Sequence, residues 1–164
     1  MPNSSPAAAI HACTFRVGGD CFAIDADHVT EVIREGHLAR VPLAPEGVLG
    51  LVHLRGRIVP IIDLAGRLGI ARTATRGAGT LLIVEAQADR YGLLVDEMLD
   101  TVDIPADRIE HPTDTAGSHD AVIGVFAAAE RLLHLLDPDR MIQSLVQPRT
   151  PTPARHGASH GGPR

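Results

Sequence analysis

Residues 48–64 read VLGLVHLRGRIVPIIDL. Two apolar runs, Val48 to Leu54 and Ile58 to Ile62, flank the turn group Arg55-Gly56-Arg57. Aliphatic runs of this length on either side of a glycine-containing turn predict a β-hairpin. Pro60 has no N–H to give to a ladder, so it is expected at an edge or a bulge. Asp63 is placed to cap a short helix over DLAGRLG, and Gly69 to stop it.

Outward from this hairpin the chain is again strand-rich. Toward the N-terminus, CTFRV and CFAID flank Gly18-Gly19-Asp20 and predict a hairpin from Ala12 to Ile24. Phe15 and Val17 share one face by period two, as do Phe22 and Ile24. Asp27 is expected to cap a short helix with Val29, Val32 and Ile33 at i, i+3 and i+4, ended by Gly36. Residues 38–43 read as an extended stretch broken by Pro42. Toward the C-terminus, TLLIVEA, RYGLLVDEM and LDTVDI follow at short intervals. Ala121–Ala127 and Arg131–Leu136 form a last predicted hairpin, and a helix follows over Asp139–Val146 with Asp137-Pro138 at its start. Many short strands with turns between them give an all-β barrel or sandwich class with minor helices. The two halves of the chain have similar strand density, which suits two small barrels packed together. Residues 1–10 are expected to be a disordered lead, 11–146 the folded domain, and 147–164 a disordered tail rich in Pro, Arg and His.

Composition narrows the function. The 164 residues are 45% hydrophobic and 21% charged, and the aromatics are Phe15, Phe22, Tyr91 and Phe126. The core is therefore aliphatic, and the aromatic platforms of base-stacking modules are missing, so no nucleic-acid partner is expected. The net charge is −5, and residues 147–164 hold three Arg and no acid. The acidic remainder disfavours nucleic acid and anionic lipid. Every basic residue is Arg, which excludes a Schiff-base or P-loop lysine. No apolar run approaches the ~20 residues that span a bilayer, and no secretory signal leads the chain. A cytoplasmic location without membrane insertion is expected, with Cys13 and Cys21 as reduced, packed thiols.

No nucleophile elbow, zinc-protease helix or phosphate loop is present. His156 and His160 lie four apart in the tail, where no helix fixes them. His134 lies in LLHLL and is expected to face solvent or to be hydrogen-bonded at a rim. Glu97, Asp100, Asp103 and Asp107 fall on alternating strand faces, without the facing geometry of an acid/base pair or the glycine turn of a calcium loop. No metal, cofactor or catalytic residue is assigned. Arg55 stands apart: a turn arginine between two rigid strands is well placed for recognition.

Gly50-Leu51-Val52-His53-Leu54-Arg55-Gly56-Arg57-Ile58-Val59-Pro60-Ile61-Ile62-Asp63-Leu64 resembles the signature of CheW-like chemotaxis coupling proteins, G-(V/I)-x-N-L-R-G-x-(V/I)-V-P-(V/I)-(V/I)-D-L. Phe15–Ile24, Val29–Arg34, Tyr91–Met98, Ile123–Val125 and Leu132–Asp137 resemble further family segments in the same order. The resemblance covers about residues 11–146. One departure is His53, where the family carries Asn; imidazole still donates and accepts.

The resemblance implies two five-stranded, SH3-like β-barrels and a non-enzymatic adaptor. Such an adaptor couples the cytoplasmic hairpin of chemoreceptors to the regulatory domain of a CheA-type histidine kinase, in chemotaxis or a related pilus, biofilm or second-messenger array. It carries over a partner-binding role to Val29, Glu31, Val32, Gly50, His53, Arg55 and Met98. Glu31 is expected to pair with Arg55 and orient it. The other reading is an orphan module of the same fold that binds a small ligand or inhibits a partner without kinase coupling.

Overall fold

In the computed structural model, which describes residues 8–73, 78–113 and 120–146, the first hairpin joins β1 (Ala9–Val17) to β2 (Asp20–Asp25). Gly18 turns it at φ 61°. Phe15, Val17, Phe22 and Ile24 are all buried, as the alternation requires. β1 begins at Ala9, two residues before the expected start of the folded domain at His11.

The helix expected between Asp27 and Gly36 does not form. Asp25, not Asp27, supplies the cap: its carboxylate accepts the Asp27 amide at 3.0 Å over a single 3-10 turn, Ala26–His28. The chain then runs as strand β3 (Val29–Arg34). Val29, Val32 and Ile33 satisfy a helical spacing, but with Thr30 they make the run β-branched, and such side chains lose rotamer freedom in a helix. Burial does alternate along β3, but Glu31 stands on the half-buried face and Val32 on the exposed one, so residue type does not display the alternation.

β4 (Val48–Leu54) and β5 (Arg57–Ile62) form the predicted hairpin about Arg55-Gly56. Asp63 caps α1 (Leu64–Leu68), accepting the Gly66 amide at 3.2 Å, and Gly69 ends it at φ 68°. Then come β6 (Thr80–Ala86), β7 (Asp89–Val95), β8 (Glu97–Pro105), a 3-10 turn over Ala106–Arg108, β9 (Val122–Ala128), β10 (Arg131–Leu136) and α2 (Pro138–Val146). Asp137 caps α2 through the Asp139 amide at 2.9 Å. The tail, with His156 and His160, and most of the lead lie outside the described residues.

The strands make two five-stranded sheets, β8-β1-β2-β10-β9 and β3-β6-β7-β5-β4. These are not the two halves of the chain. The second is one continuous stretch inserted into the first, which is assembled from both flanks. We call them the inserted and the terminal barrel. Each closes through one bridge beyond its named strands. Ala39 and Leu51 exchange two backbone hydrogen bonds of 2.9 Å; Glu110 and Val125 exchange bonds of 2.9 and 2.8 Å. Pro60 therefore lies on an interior strand, not an edge. It faces Leu51 of β4, while pairing with β7 starts only at Ile61, so the missing N–H leaves no gap in the ladder.

Apolar side chains form three layers. Ala12, Ile104, Phe126 and Leu133 fill the terminal barrel, and Val59, Ile61, Leu81 and Ile83 the inserted one. A larger central layer joins Phe15, Phe22, Leu136 and Met141 of the terminal barrel to Ile62, Leu64, Leu82 and Leu93 of the inserted barrel. His134 is half-buried, with its ring centroid 5.4 Å from that of Phe22 on the neighbouring strand. Around β8, Glu97 pairs with Arg16 and Asp100 with Arg131, and Asp103 lies 2.6 Å from His11 Nδ1.

Candidate functional site

The tight β4–β5 connection forces Arg55 to φ 49° and Gly56 to φ 78°. This is the positive-φ pair that a two-residue hairpin needs to match strand twist. Glycine takes it freely; for an arginine the left-handed backbone costs about 1–2 kcal/mol. The side chain is 76% exposed and meets Glu31 of β3, itself 20% exposed. Nε lies 3.4 Å from Oε1, and Nη2 donates to Oε2 at 3.4 Å. The pair expected from the sequence thus forms, and it is side-on and two-pronged. It is also loose, since charge-assisted bonds run about 2.7–2.9 Å. A pair this exposed is worth ~0–1 kcal/mol, so it orients the guanidinium more than it stabilises the fold.

The remaining predicted residues divide. His53 is exposed and stands opposite Ile58, which is 65% exposed. Val32 is 46% exposed and pairs with Leu82, a member of the central layer. Val29 and Met98 are partly buried against that same layer, Met98 opposite Phe15 of β1. Glu31 and Arg55 therefore form one patch on the inserted barrel. Val29, Val32 and Met98 belong to the central layer and its margin.

Gly50 offers no surface at all. It is buried, and a Cβ there would lie 2.6 Å from the Ala39 carbonyl oxygen that closes the inserted barrel. Its hydrogen atom is what lets Ala39 reach Leu51.

Sequence reasoning missed Ile58, Leu132 and Leu43. Ile58 and Leu132 are both largely exposed, at the second position of β5 and of β10. Alternation carries the signal: Val59 and Leu133 point into their barrels, so their predecessors point out. Leu43 is fully exposed at φ 61°, in a loop whose conformation the sequence did not reveal.

Among the described residues two ionisable groups are displaced from their ordinary range, both outside this patch. Burial, with the Asp25 carboxylate second, raises the Cys13 thiol; burial, with Asp89 second, raises the Tyr91 phenol.

Known proteins share this architecture. Residues 11–146 match the family model of the CheW-like domain. The chain is 29% identical over 132 residues to the chemotaxis protein CheW of Rhizobium meliloti (strain 1021), covering 79% of this chain and 85% of that protein. It is 30% identical over 139 residues to protein FrzA of Myxococcus xanthus, covering 81% and 85%. The crystal structure of scaffolding protein TtCheW from Thermoanaerobacter tengcongensis superposes with a TM-score of 0.75 at 25% identity, over 82% of this chain and 92% of that one. In its motifs, its two closed barrels and its relatives, the chain belongs to the CheW-like domain family.

Proposed function

We propose that this protein is a non-catalytic coupling adaptor in a chemotaxis or chemotaxis-like signalling array. It joins the cytoplasmic hairpin of chemoreceptors to the regulatory domain of a CheA-type histidine kinase. The observation that carries the reading is Arg55, held on a rigid hairpin at a strained backbone angle, largely exposed and oriented by Glu31. Strain kept at an exposed arginine fits recognition better than solubility, because a glycine would serve the turn at lower cost. Exposed Ile58 and Val32 supply apolar area for a helical or β-barrel partner. Val29, Val32 and Met98 are assigned to the receptor side, and Glu31, His53 and Arg55 to the shared recognition patch. A helix-in-groove partner needs only a few such anchors.

The adaptor acts by stabilising one receptor–kinase arrangement over another, without bond chemistry. Among the described residues no helix is long and apolar enough to cross a membrane. We assign the protein to the cytoplasm, where the partners' docking elements lie. The small-ligand reading is not adopted. The chemotaxis and scaffolding relatives favour coupling over it.

Titration calorimetry of the full chain against each partner from the same genome tests the proposal. Micromolar binding to both, weakened for the receptor hairpin by Arg55→Ala, is the expected result. A folded protein that binds neither would overturn it.

A further inference from the structure

Polar ties cross the junction between the barrels alongside the central apolar layer. Arg67 of α1 donates to Asp120, just before β9, at 2.7 Å. Asp139 of α2 accepts the Gln87 amide in the β6–β7 turn at 2.8 Å. A further tie centres on Asp96, the one residue between β7 of the inserted barrel and β8 of the terminal barrel. Its amide donates to the Arg16 carbonyl at 2.9 Å. One carboxylate oxygen, Oδ2, accepts the Gly18 amide at 2.7 Å and the Thr73 hydroxyl at 2.8 Å. Gly18 belongs to the first turn of the terminal barrel; Thr73 follows α1 of the inserted barrel. The two segments approach so closely that a Cβ on Gly18 would lie 2.9 Å from the Ala71 carbonyl oxygen.

We infer that Asp96 is a positioning residue that sets the angle between the two barrels and, through it, the place of Met98 at the start of β8. Apolar burial is non-directional, so the central layer holds the barrels together over a range of angles. A single oxygen with short bonds from both barrels admits a much narrower range. Asp96 also differs from the other ties in lying on the covalent crossover, so a displacement there moves β8 directly. Met98, two residues on, packs against the central layer. The consequence for receptor binding rests on the coupling reading above; the angle itself does not.

Residual dipolar couplings on the full chain test this without partners. Wild type, Asp96→Asn, Asp96→Ala and Thr73→Val are compared. Asparagine keeps an oxygen that can accept both donors; alanine keeps none. One alignment tensor is expected to fit both barrels in wild type and Asp96→Asn. Asp96→Ala is expected to require two, and its affinity for a chemoreceptor cytoplasmic hairpin to fall by about tenfold, the worth of a lost charged hydrogen bond. If Asp96→Ala fails to fold, Thr73→Val decides, with partial divergence of the tensors expected. A common tensor in the deciding variant overturns the inference whatever the affinity does. Divergent tensors with unchanged hairpin affinity overturn the link to Met98. If wild type binds no hairpin, the coupling reading falls and the tensors still decide the role of Asp96.

Discussion

Replacing Arg55 with glycine separates recognition from stability. Arg55 sits at φ 49°, so the substitution removes about 1–2 kcal/mol of left-handed strain. Against this, glycine gains chain freedom in the unfolded state, roughly 0.5–1 kcal/mol. The loose pair with Glu31, at 3.4 Å and with Arg55 76% exposed, adds a loss of about 0–1 kcal/mol. The terms nearly cancel, and net stability should move by less than about 1 kcal/mol, or within about 4 °C in Tm for a chain of this size. Arg55→Ala keeps a Cβ at positive φ and gains no relief, so it should be less stable than Arg55→Gly by about 1 kcal/mol. Both variants lose the guanidinium. An interfacial arginine anchor is worth about 2 kcal/mol or more, which is about thirtyfold in affinity. Urea denaturation gives the first comparison, and calorimetric titration with the receptor hairpin gives the second. A glycine variant less stable than the alanine variant would refute the strain account. Affinity within about twofold of wild type would refute the role of Arg55 as an anchor.

Gly50→Ala should destabilise by about 2–3 kcal/mol, because the new methyl displaces Ala39 and breaks two closing hydrogen bonds worth about 1 kcal/mol each, with added strain; denaturant melts that shift by less than a fifth of this would contradict it. Ala88→Gly should stabilise the fold by roughly 0.4–1 kcal/mol in the same assay, since Ala88 sits at φ 61° in the β6–β7 turn. Asp137→Ala should cost about 1 kcal/mol by removing the α2 cap. The Cys13 thiol, raised by burial, stays protonated at neutral pH, so its alkylation, followed by mass spectrometry, should accelerate only as pH rises past the ordinary thiol range.

The hairpins were legible because their signals are local. Gly18-Gly19 and Arg55-Gly56 mark reversals, and aliphatic residues alternate on each side of them. The helix caps Asp63 and Asp137 were legible for the same reason. β3 was not, because a short run of β-branched residues fits either period, and Glu31 on the half-buried face with Val32 on the exposed face hides the strand pattern. The insertion of one barrel into the other was invisible, since β2 pairs with β10 through residues more than a hundred positions apart. At the site, the family pattern pointed to Arg55 and Glu31 and placed them within reach of each other. It also pointed to Gly50, whose place in the fold is a matter of backbone clearance; that required knowing what lies against it. Ile58 was readable from alternation alone, once Val59 was seen to point inward.

The insertion of one barrel within the other has a consequence for synthesis on the ribosome. All strands of the inserted barrel have been made once Val95 emerges, so it can close early. The β1–β2 hairpin, made first, must wait until Leu136 for its parallel partner. At about 5–20 residues per second the wait from Asp25 to Leu136 is roughly 6–22 s. Through that interval β2 presents an unpaired edge, and Leu136, Met141 and Ile142, which share the central layer with Phe15 and Phe22, are still to be made. The oldest part of the nascent chain is thus the last to be sheltered, and it is there that a holding chaperone would find its purchase.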